Sequence, residues 1–259
     1  NKIKVKALRR TYKSKPRFPL LISPEWITKK ITDLTVEDLL DCDILIHLAA
    51  HSANVPYDNL ENCIIENVIR PLRLLETANK AGINKFLITG TGFEYGKSGE
   101  NYKLIPSYAP LFPTQTYPAS KAISSIAFSQ FAYENRVSLS YQRIFQVYGE
   151  GEVESRLWPS LKFAAENNLD FDMTKGEQIR DFIYVKDLAK ILYEKLLLLN
   201  YNNKSEVVIE NISGGNPKSI KDFAEEWWRL FKAKRKLNIG LLPYRNGEVM
   251  RYVPKSSKK

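Results

Sequence analysis

In the stretch QTYPASKA, Tyr117 and Lys121 stand four residues apart at the head of an amphipathic run. On a helix, residues i and i+4 share a face, so this phenol and this ammonium can point into one cleft. A phenol on its own, with a pKa of roughly 10, exchanges protons poorly at pH 7. A neighbouring ammonium stabilises the phenolate and makes tyrosine usable as a general acid or base. Spacing alone is weak support. With 14 tyrosines and lysine at roughly one position in ten, about one Y-x-x-x-K arises by chance. The pair either does proton chemistry or is an ordinary helix-surface pair.

The elements that would position it alternate between strand and helix. A long helix runs from Tyr117 to Asn135, and Ile123, Ile126, Phe128 and Phe131 form its apolar side. IKVKALRR (3–10) alternates apolar and basic residues as a strand does. CDILIHLAA (42–50) is a continuous apolar run that reads as a strand buried on both faces. Residues 61–80 predict a helix interrupted or kinked at Pro71 and closed by Gly82. KFLITGTG (85–92), VSLSYQRIFQVYG (137–149) and VVIENISGG (207–215) supply further strands. Such alternation predicts an α/β fold, a parallel sheet covered by helices, with ligands bound beyond the carboxyl ends of the strands. The segments to watch are therefore 50–53, 89–94 and 146–150. His47 lies inside a strand and reads as core, whereas His51 follows the strand end and is a candidate to line the site. Trp227 and Trp228 fall on a helix and read as packing.

Composition narrows the function. No apolar run approaches the roughly 20 residues that span a bilayer. The longest, ILYEKLLLL (191–199), carries Glu194 and Lys195. Cys42 and Cys63 make neither a disulfide framework nor a zinc site, so a cytoplasmic setting and no bound metal are expected. The formal charge of +10 is spread along the chain, with clusters at KAKRK (232–236) and the tail PKSSKK. A solvated surface or a pocket for an anionic small molecule explains it without nucleic acid or a membrane. A dinucleotide-binding fold normally opens with a strand and a G-x-G-x-x-G turn. None is present, and SGGNP (213–217) lacks that spacing, so the reading expects further residues upstream of Asn1.

Several motifs in order resemble the extended short-chain dehydrogenase/reductase family, in its nucleotide-sugar branch of epimerases, dehydratases and 4-keto reductases. They are TDL (32–34), LIHLAA (45–50), TGTGFEYG (89–96), YPASK (117–121), RIFQVYGEG (143–151), TKGEQIRDFIYVKDLA (174–189) and YRNGEVMRYV (244–253). The T-x-G-x-Q-x-R-D-F pattern is the most specific of them. The resemblance implies a Rossmann-like doubly wound parallel sheet over 1–145, lacking its first strand and glycine-rich turn. It also implies a smaller substrate-binding α/β domain over 146–259, with segments near 181–215 returning to the first.

The resemblance also implies roles. Tyr117 would exchange a proton with the sugar oxygen, Thr91 would hydrogen-bond that oxygen, and Lys121 would support the tyrosine and hold the nicotinamide ribose. Asp33 and Leu34 would meet the adenine, Leu48, Ala49 and Ala50 would underlie the dinucleotide, and Asn67 would be the structural asparagine of the site. Arg180 and Arg245 would clamp a diphosphate, to which guanidinium geometry is suited, although Arg180 has an alternative as a salt-bridge partner of a neighbour such as Asp181. His51, Phe93, Glu94, Gln146 and Arg156 complete the expected substrate pocket. Dehydratases of this branch follow the threonine with Asp-Glu, but Gly92 and Phe93 stand here. Arg9 and Arg10 occupy the place where NAD-preferring relatives carry an acid, and they suit a 2′-phosphate. The expectation is an NADPH-dependent reductase of a nucleotide 4-keto-6-deoxysugar, active as a homodimer, with NAD(H) as the second choice of cofactor. Two alternatives are a nucleotide-sugar 4-epimerase and a catalytically idle binding relative.

Overall fold

The computed structural model describes residues 3–201, 204–245 and 247–256, so the end of the basic tail lies outside the described residues. The elements in chain order are β1 (Lys6–Arg9), β2 (Glu25–Thr28), α1 (Val36–Leu39), β3 (Leu45–His47), α2 (Leu60–Ile64) and α3 (Arg70–Lys80). Next come β4 (Lys85–Thr91), α4 (Thr116–Asn135), β5 (Ser138–Ile144), β6 (Gln146–Tyr148), α5 (Leu157–Glu166) and β7 (Phe171–Met173). The chain continues through β8 (Ile179–Arg180), β9 (Phe182–Tyr184), α6 (Val185–Tyr201), β10 (Val207–Ile212) and β11 (Lys218–Ser219). It ends with α7 (Ile220–Leu230), β12 (Leu237–Ile239) and β13 (Arg251–Tyr252). They form two compact units. One comprises Asn1–Gly90, Pro113–Gln142 and Lys195–Ile209, the other Thr91–Phe112, Arg143–Glu194 and Glu210–Lys259.

The first unit is built on a sheet of order β10-β5-β4-β3, with β3 and β4 parallel, and on a parallel pair β1-β2. The expected parallel-sheet α/β architecture, Rossmann-like, is present. Leu75, Phe86, Ile88, Phe128, Leu139 and Tyr141 form its core between sheet and helices. Phe128 and Phe131 of α4 face that core, while Ile123 and Ile126 stay exposed. One expectation needs correction. β3 is not buried on both faces: it is three residues long, ends the sheet order among the described residues, and leaves Ile46 exposed.

The helical stretch over 60–80 is interrupted just ahead of Pro71, as expected: α2 stops at Ile64, a π-helix spans Ile65–Ile69, and α3 restarts at Arg70 with Pro71 in its first turn. Proline has no N–H to give the carbonyl four residues back, which here is Asn67. The Ser124 hydroxyl of α4 donates to that carbonyl instead, at 2.7 Å. α3 ends at Lys80, and the chain turns away at Gly82, whose φ of +93° suits a residue without a side chain.

The second unit combines short paired strands, β6 with β9 and β7 with β12, both parallel, and β8 between antiparallel β11 and parallel β13. Aromatic rings bind these pieces. Phe182 stacks on Phe223 at 3.9 Å, and Trp227 meets Trp158 at 5.5 Å. The Trp227–Trp228 pair is packing, as expected: Trp228 lies against Phe171 and donates its indole N–H to the Arg235 carbonyl.

Candidate active site

In the first unit, Tyr117 is the second residue of α4 and is buried, with its ring 5.5 Å from that of Tyr57. Lys121, one turn on, is only 2% exposed. A buried ammonium is costly unless hydrogen-bonded, and its Nζ donates to the Thr89 carbonyl of β4 at 2.8 Å. Lys121 is therefore no surface lysine. Its charge also reaches His47: burial first, and then this cation, push the imidazole down to about 4.

Asn67, from the π-turn, ties three segments together. Its amide nitrogen donates to Ser120 Oγ at 2.9 Å and to the His51 carbonyl at 3.1 Å, while its oxygen accepts from the His51 backbone N–H at 2.7 Å. Ser120 Oγ donates in turn to the Tyr117 carbonyl. The loop after β3 and the head of α4 are thus fixed by one buried amide. In that loop His51 Nε2 lies 2.8 Å from Asp58, and hydrogen bonds from His51, the Asn59 N–H and Asn62 hold the Asp58 carboxyl below its usual range. Thr116 Oγ1 donates to the Asp58 carbonyl.

The expected cofactor residues of this unit are placed as follows. Leu48, Ala49 and Ala50 are exposed immediately beyond β3, and the two alanines leave the backbone approachable. Arg9 ends β1, donates to Thr28 Oγ1 at 2.9 Å and lies 5.2 Å over the rings of Tyr12 and Trp26, while Arg10 is exposed. Asp33 is exposed in a short turn, and Leu34 packs on the core. This donor set, with cations at one strand end, small residues at another and the Tyr117–Lys121–Asn67 group, fits a dinucleotide. Among the described residues no group of three or more His, Cys, Asp or Glu side chains is arranged for a metal, and no helix is long and apolar enough to cross a membrane.

In the second unit, Thr91 opens a short 3-10 turn over Gly92–Tyr95 with a reciprocal capping box. Its hydroxyl accepts from backbone N–H groups of the turn, and its own N–H donates to Glu94 Oε1 at 2.8 Å. The expectation that Glu94 lines the substrate pocket is corrected here, because the side chain is 0% exposed. Its other oxygen accepts from Arg143 Nε at 2.7 Å. Arg143, 3% exposed, also donates to the Tyr95 hydroxyl at 2.9 Å and the Ser107 carbonyl at 2.8 Å. Burial alone would lower the guanidinium's pKa, but Glu94 and Tyr95 outweigh it and raise it above the ordinary arginine value. Tyr95 donates on to Asn211 Oδ1, and the Tyr252 hydroxyl donates to the Gly92 carbonyl at 2.9 Å.

The remaining expected substrate residues also belong to this unit. Phe93 is exposed, and Gln146 opens β6 half-buried. Arg156 caps α5 and donates to Glu152 at 2.7 Å. Arg180 donates to the Val249 carbonyl at 2.7 Å and pairs with Glu248 at 3.3 Å; burial holds its pKa down against that partner. Its ion-pair partner is therefore Glu248 and not Asp181, whose carboxylate accepts from Ser213 and from the N–H groups of Gly215 and Asn216. Arg245 is exposed. Sequence reasoning missed Arg143, Tyr95, Asn211 and Tyr252. Two signals were available: the T-x-x-E spacing of a capping box at 91–94, and an arginine inside a buried strand, which needs a counter-charge.

A profile of the family described as "NAD dependent epimerase/dehydratase family" matches residues 3–209. The chain is 26% identical over 230 residues to CDP-abequose synthase of Salmonella muenchen, covering 87% of this chain and 72% of that protein. It is 28% identical over 207 residues to UDP-glucuronate 4-epimerase of Thermodesulfobacterium geofontis, covering 78% and 61%. In fold it resembles UDP-N-acetylglucosamine 4-epimerase from Methanobrevibacter ruminantium, with a TM-score of 0.83 at 22% identity over 98% of this chain and 82% of that one. With a parallel α/β core, a buried Tyr117–Lys121 helix head and a family match over most of its length, this chain belongs to the NAD dependent epimerase/dehydratase family, within the extended short-chain dehydrogenases/reductases.

Proposed function

We propose that the protein is an NADPH-dependent reductase of a nucleotide-diphosphate 4-keto-6-deoxysugar. The observation that carries the reading is the buried Lys121 ammonium, anchored on the Thr89 carbonyl one helical turn from Tyr117. An ammonium held out of solvent favours a neighbouring phenolate far more than one in water does. A bound nicotinamide would supply hydride to the keto carbon. Tyr117 would deliver the proton to the oxygen as negative charge develops there, and Thr91 would hydrogen-bond that same oxygen. Asn67 and Lys121 would hold the nicotinamide ribose side, Leu48, Ala49 and Ala50 would underlie the dinucleotide, and Arg9 and Arg10 would meet a 2′-phosphate.

Reduction is favoured over dehydration because Gly92 and Phe93 carry no acid, and Glu94 is locked inside by Arg143. The likeness to CDP-abequose synthase supports the same choice; the likeness to a 4-epimerase is the specific ground for the second reading. Phe93, Gln146, Arg156, Arg180 and Arg245 would contact the nucleotide sugar. The exposed Ile123 and Ile126 on α4 support a homodimer through that helix.

The test is NADPH oxidation by the full chain with a panel of CDP-, dTDP-, GDP- and UDP-4-keto-6-deoxysugars. No oxidation with any member, together with interconversion of UDP-glucose and UDP-galactose, would replace the reductase by an epimerase. Tyr117→Phe should lose most turnover while still binding NADPH. Near-normal turnover in that variant removes Tyr117 as the proton donor.

A further inference from the structure

The turn that carries Thr91 is held by more than a capping box needs. Glu94 is completely buried, and each of its carboxylate oxygens has a different donor: the Thr91 N–H on one, Arg143 Nε on the other. Arg143 is fixed in turn by the Tyr95 hydroxyl and the Ser107 carbonyl. The same turn is gripped through the Gly92 carbonyl by Tyr252, and a Cβ on Gly92 would stand 2.8 Å from the Phe145 ring. A hydroxyl offers one proton and two lone pairs. Because the turn's N–H groups use the acceptor side of Thr91 Oγ1, its proton is what it has to give outward.

We propose that Glu94, braced by Arg143, is a positioning residue that fixes the backbone of Thr91 and thereby aims its hydroxyl proton at the reacting oxygen. This rests on the reading of Thr91 as the hydroxyl that meets the substrate. Glutamine cannot replace Glu94, although it is nearly isosteric. It has one acceptor oxygen where two buried donors must be met, so its NH2 must face either the Thr91 N–H or the guanidinium. Replacing Arg143 by methionine removes that conflict and lets the glutamine oxygen return to Thr91. The chemistry asked of Glu94 is geometric; it neither takes nor gives a proton in the reaction.

The experiment is a double-mutant cycle on the full chain, with kcat and KM measured for whichever reaction it catalyses, ketosugar-dependent NADPH oxidation or UDP-hexose interconversion. Glu94→Gln should lower kcat about 10- to 100-fold, with KM and NADPH binding within about threefold of the parent. In the Thr91→Val background the same substitution should cost less than about threefold, because the group it positions is gone. Glu94→Gln combined with Arg143→Met should regain at least tenfold over Glu94→Gln alone. Should Glu94→Gln not fold, the Glu94→Gln/Arg143→Met pair carries the cycle, and its kcat should stay near the parent's only while Thr91 is present. Equal losses from Glu94→Gln with and without Thr91 overturn the positioning role and leave the assignment of Thr91 standing. A Thr91→Val variant within twofold of the parent, beside an inactive Tyr117→Phe, removes the Thr91 assignment itself and this inference with it.

Discussion

Acidification should weaken the first unit through His47. The imidazole is 7% exposed on β3, and burial together with the Lys121 charge lowers its pKa from 6.5 to about 4. The folded state therefore binds this proton less readily than the unfolded chain does. Between pH 6.5 and 4 the unfolded state carries more protons, so stability falls as pH falls. Above pH 6.5 both states are neutral at this site and the effect vanishes. Relative to pH 7, the loss is about 1 kcal/mol at pH 5.5 and about 3 kcal/mol at pH 4. Carboxylates add their own acid sensitivity, so the quantity to measure is the difference between the parent and His47→Gln. Urea unfolding at pH 7, 5.5 and 4 should show the two stability curves converging towards the variant's favour as pH drops, by those amounts. Parallel curves across that range would refute the claim that a neutral imidazole is trapped there. Lys121→Met should flatten part of the parent's slope, because the second cause of the shift is that ammonium.

Three further outcomes can be checked directly. Gly92→Ala should cost about 1–3 kcal/mol by overpacking, since its Cβ would lie 2.8 Å from Phe145, and thermal unfolding should show it. Phe223→Ala removes a ring stacked at 3.9 Å on Phe182 and edge-on to Tyr148 at 5.0 Å, and should destabilise the second unit by about 3–5 kcal/mol in denaturant titrations. If Arg9 and Arg10 meet a 2′-phosphate, replacing both by alanine should raise the KM for NADPH at least about 100-fold and leave that for NADH within a few-fold, because two charge-assisted hydrogen bonds at roughly 1.5–3 kcal/mol each are lost; equal effects on both cofactors would reject that assignment.

How legible each part was depends on the range of the interaction behind it. The strands KFLITGTG and VVIENISGG, and the helix from Thr116 to Asn135, were readable because hydrophobic period is a local signal that a buried sheet reinforces. β2 (EWIT), β8, β11 and β13 were not, since these two- to four-residue strands do not sit within a longer alternating or apolar run as β1 does. CDILIHLAA misled for another reason. An apolar run reports that its residues are hydrophobic, but not whether other elements cover both faces of the strand, and Ile46 is left exposed. The break at Pro71 was legible, but the way the chain is held across it was hidden. It depends on Ser124, 57 residues away, supplying the donor that Asn67 lacks.

Glu94 shows the same limit at the site. Its place in the segment 89–94, beyond the carboxyl end of a strand, invited the reading of a residue that lines the pocket. The fold turns it inward, and the reason is Arg143, 49 residues on. A buried arginine must find an acceptor, and among the described residues Glu94 is the carboxylate that meets it. Each residue, read alone, argues for a different location: an exposed acid near substrate, and a strand arginine with no purpose. Only together do they give a neutral, fully bonded interior on which one threonine can be held still. Proton transfer to a sugar oxygen needs donors aligned within tenths of an ångström. A local pattern such as T-G-F-E can name the threonine, but the rigidity that makes it useful comes from a partner that the pattern does not contain.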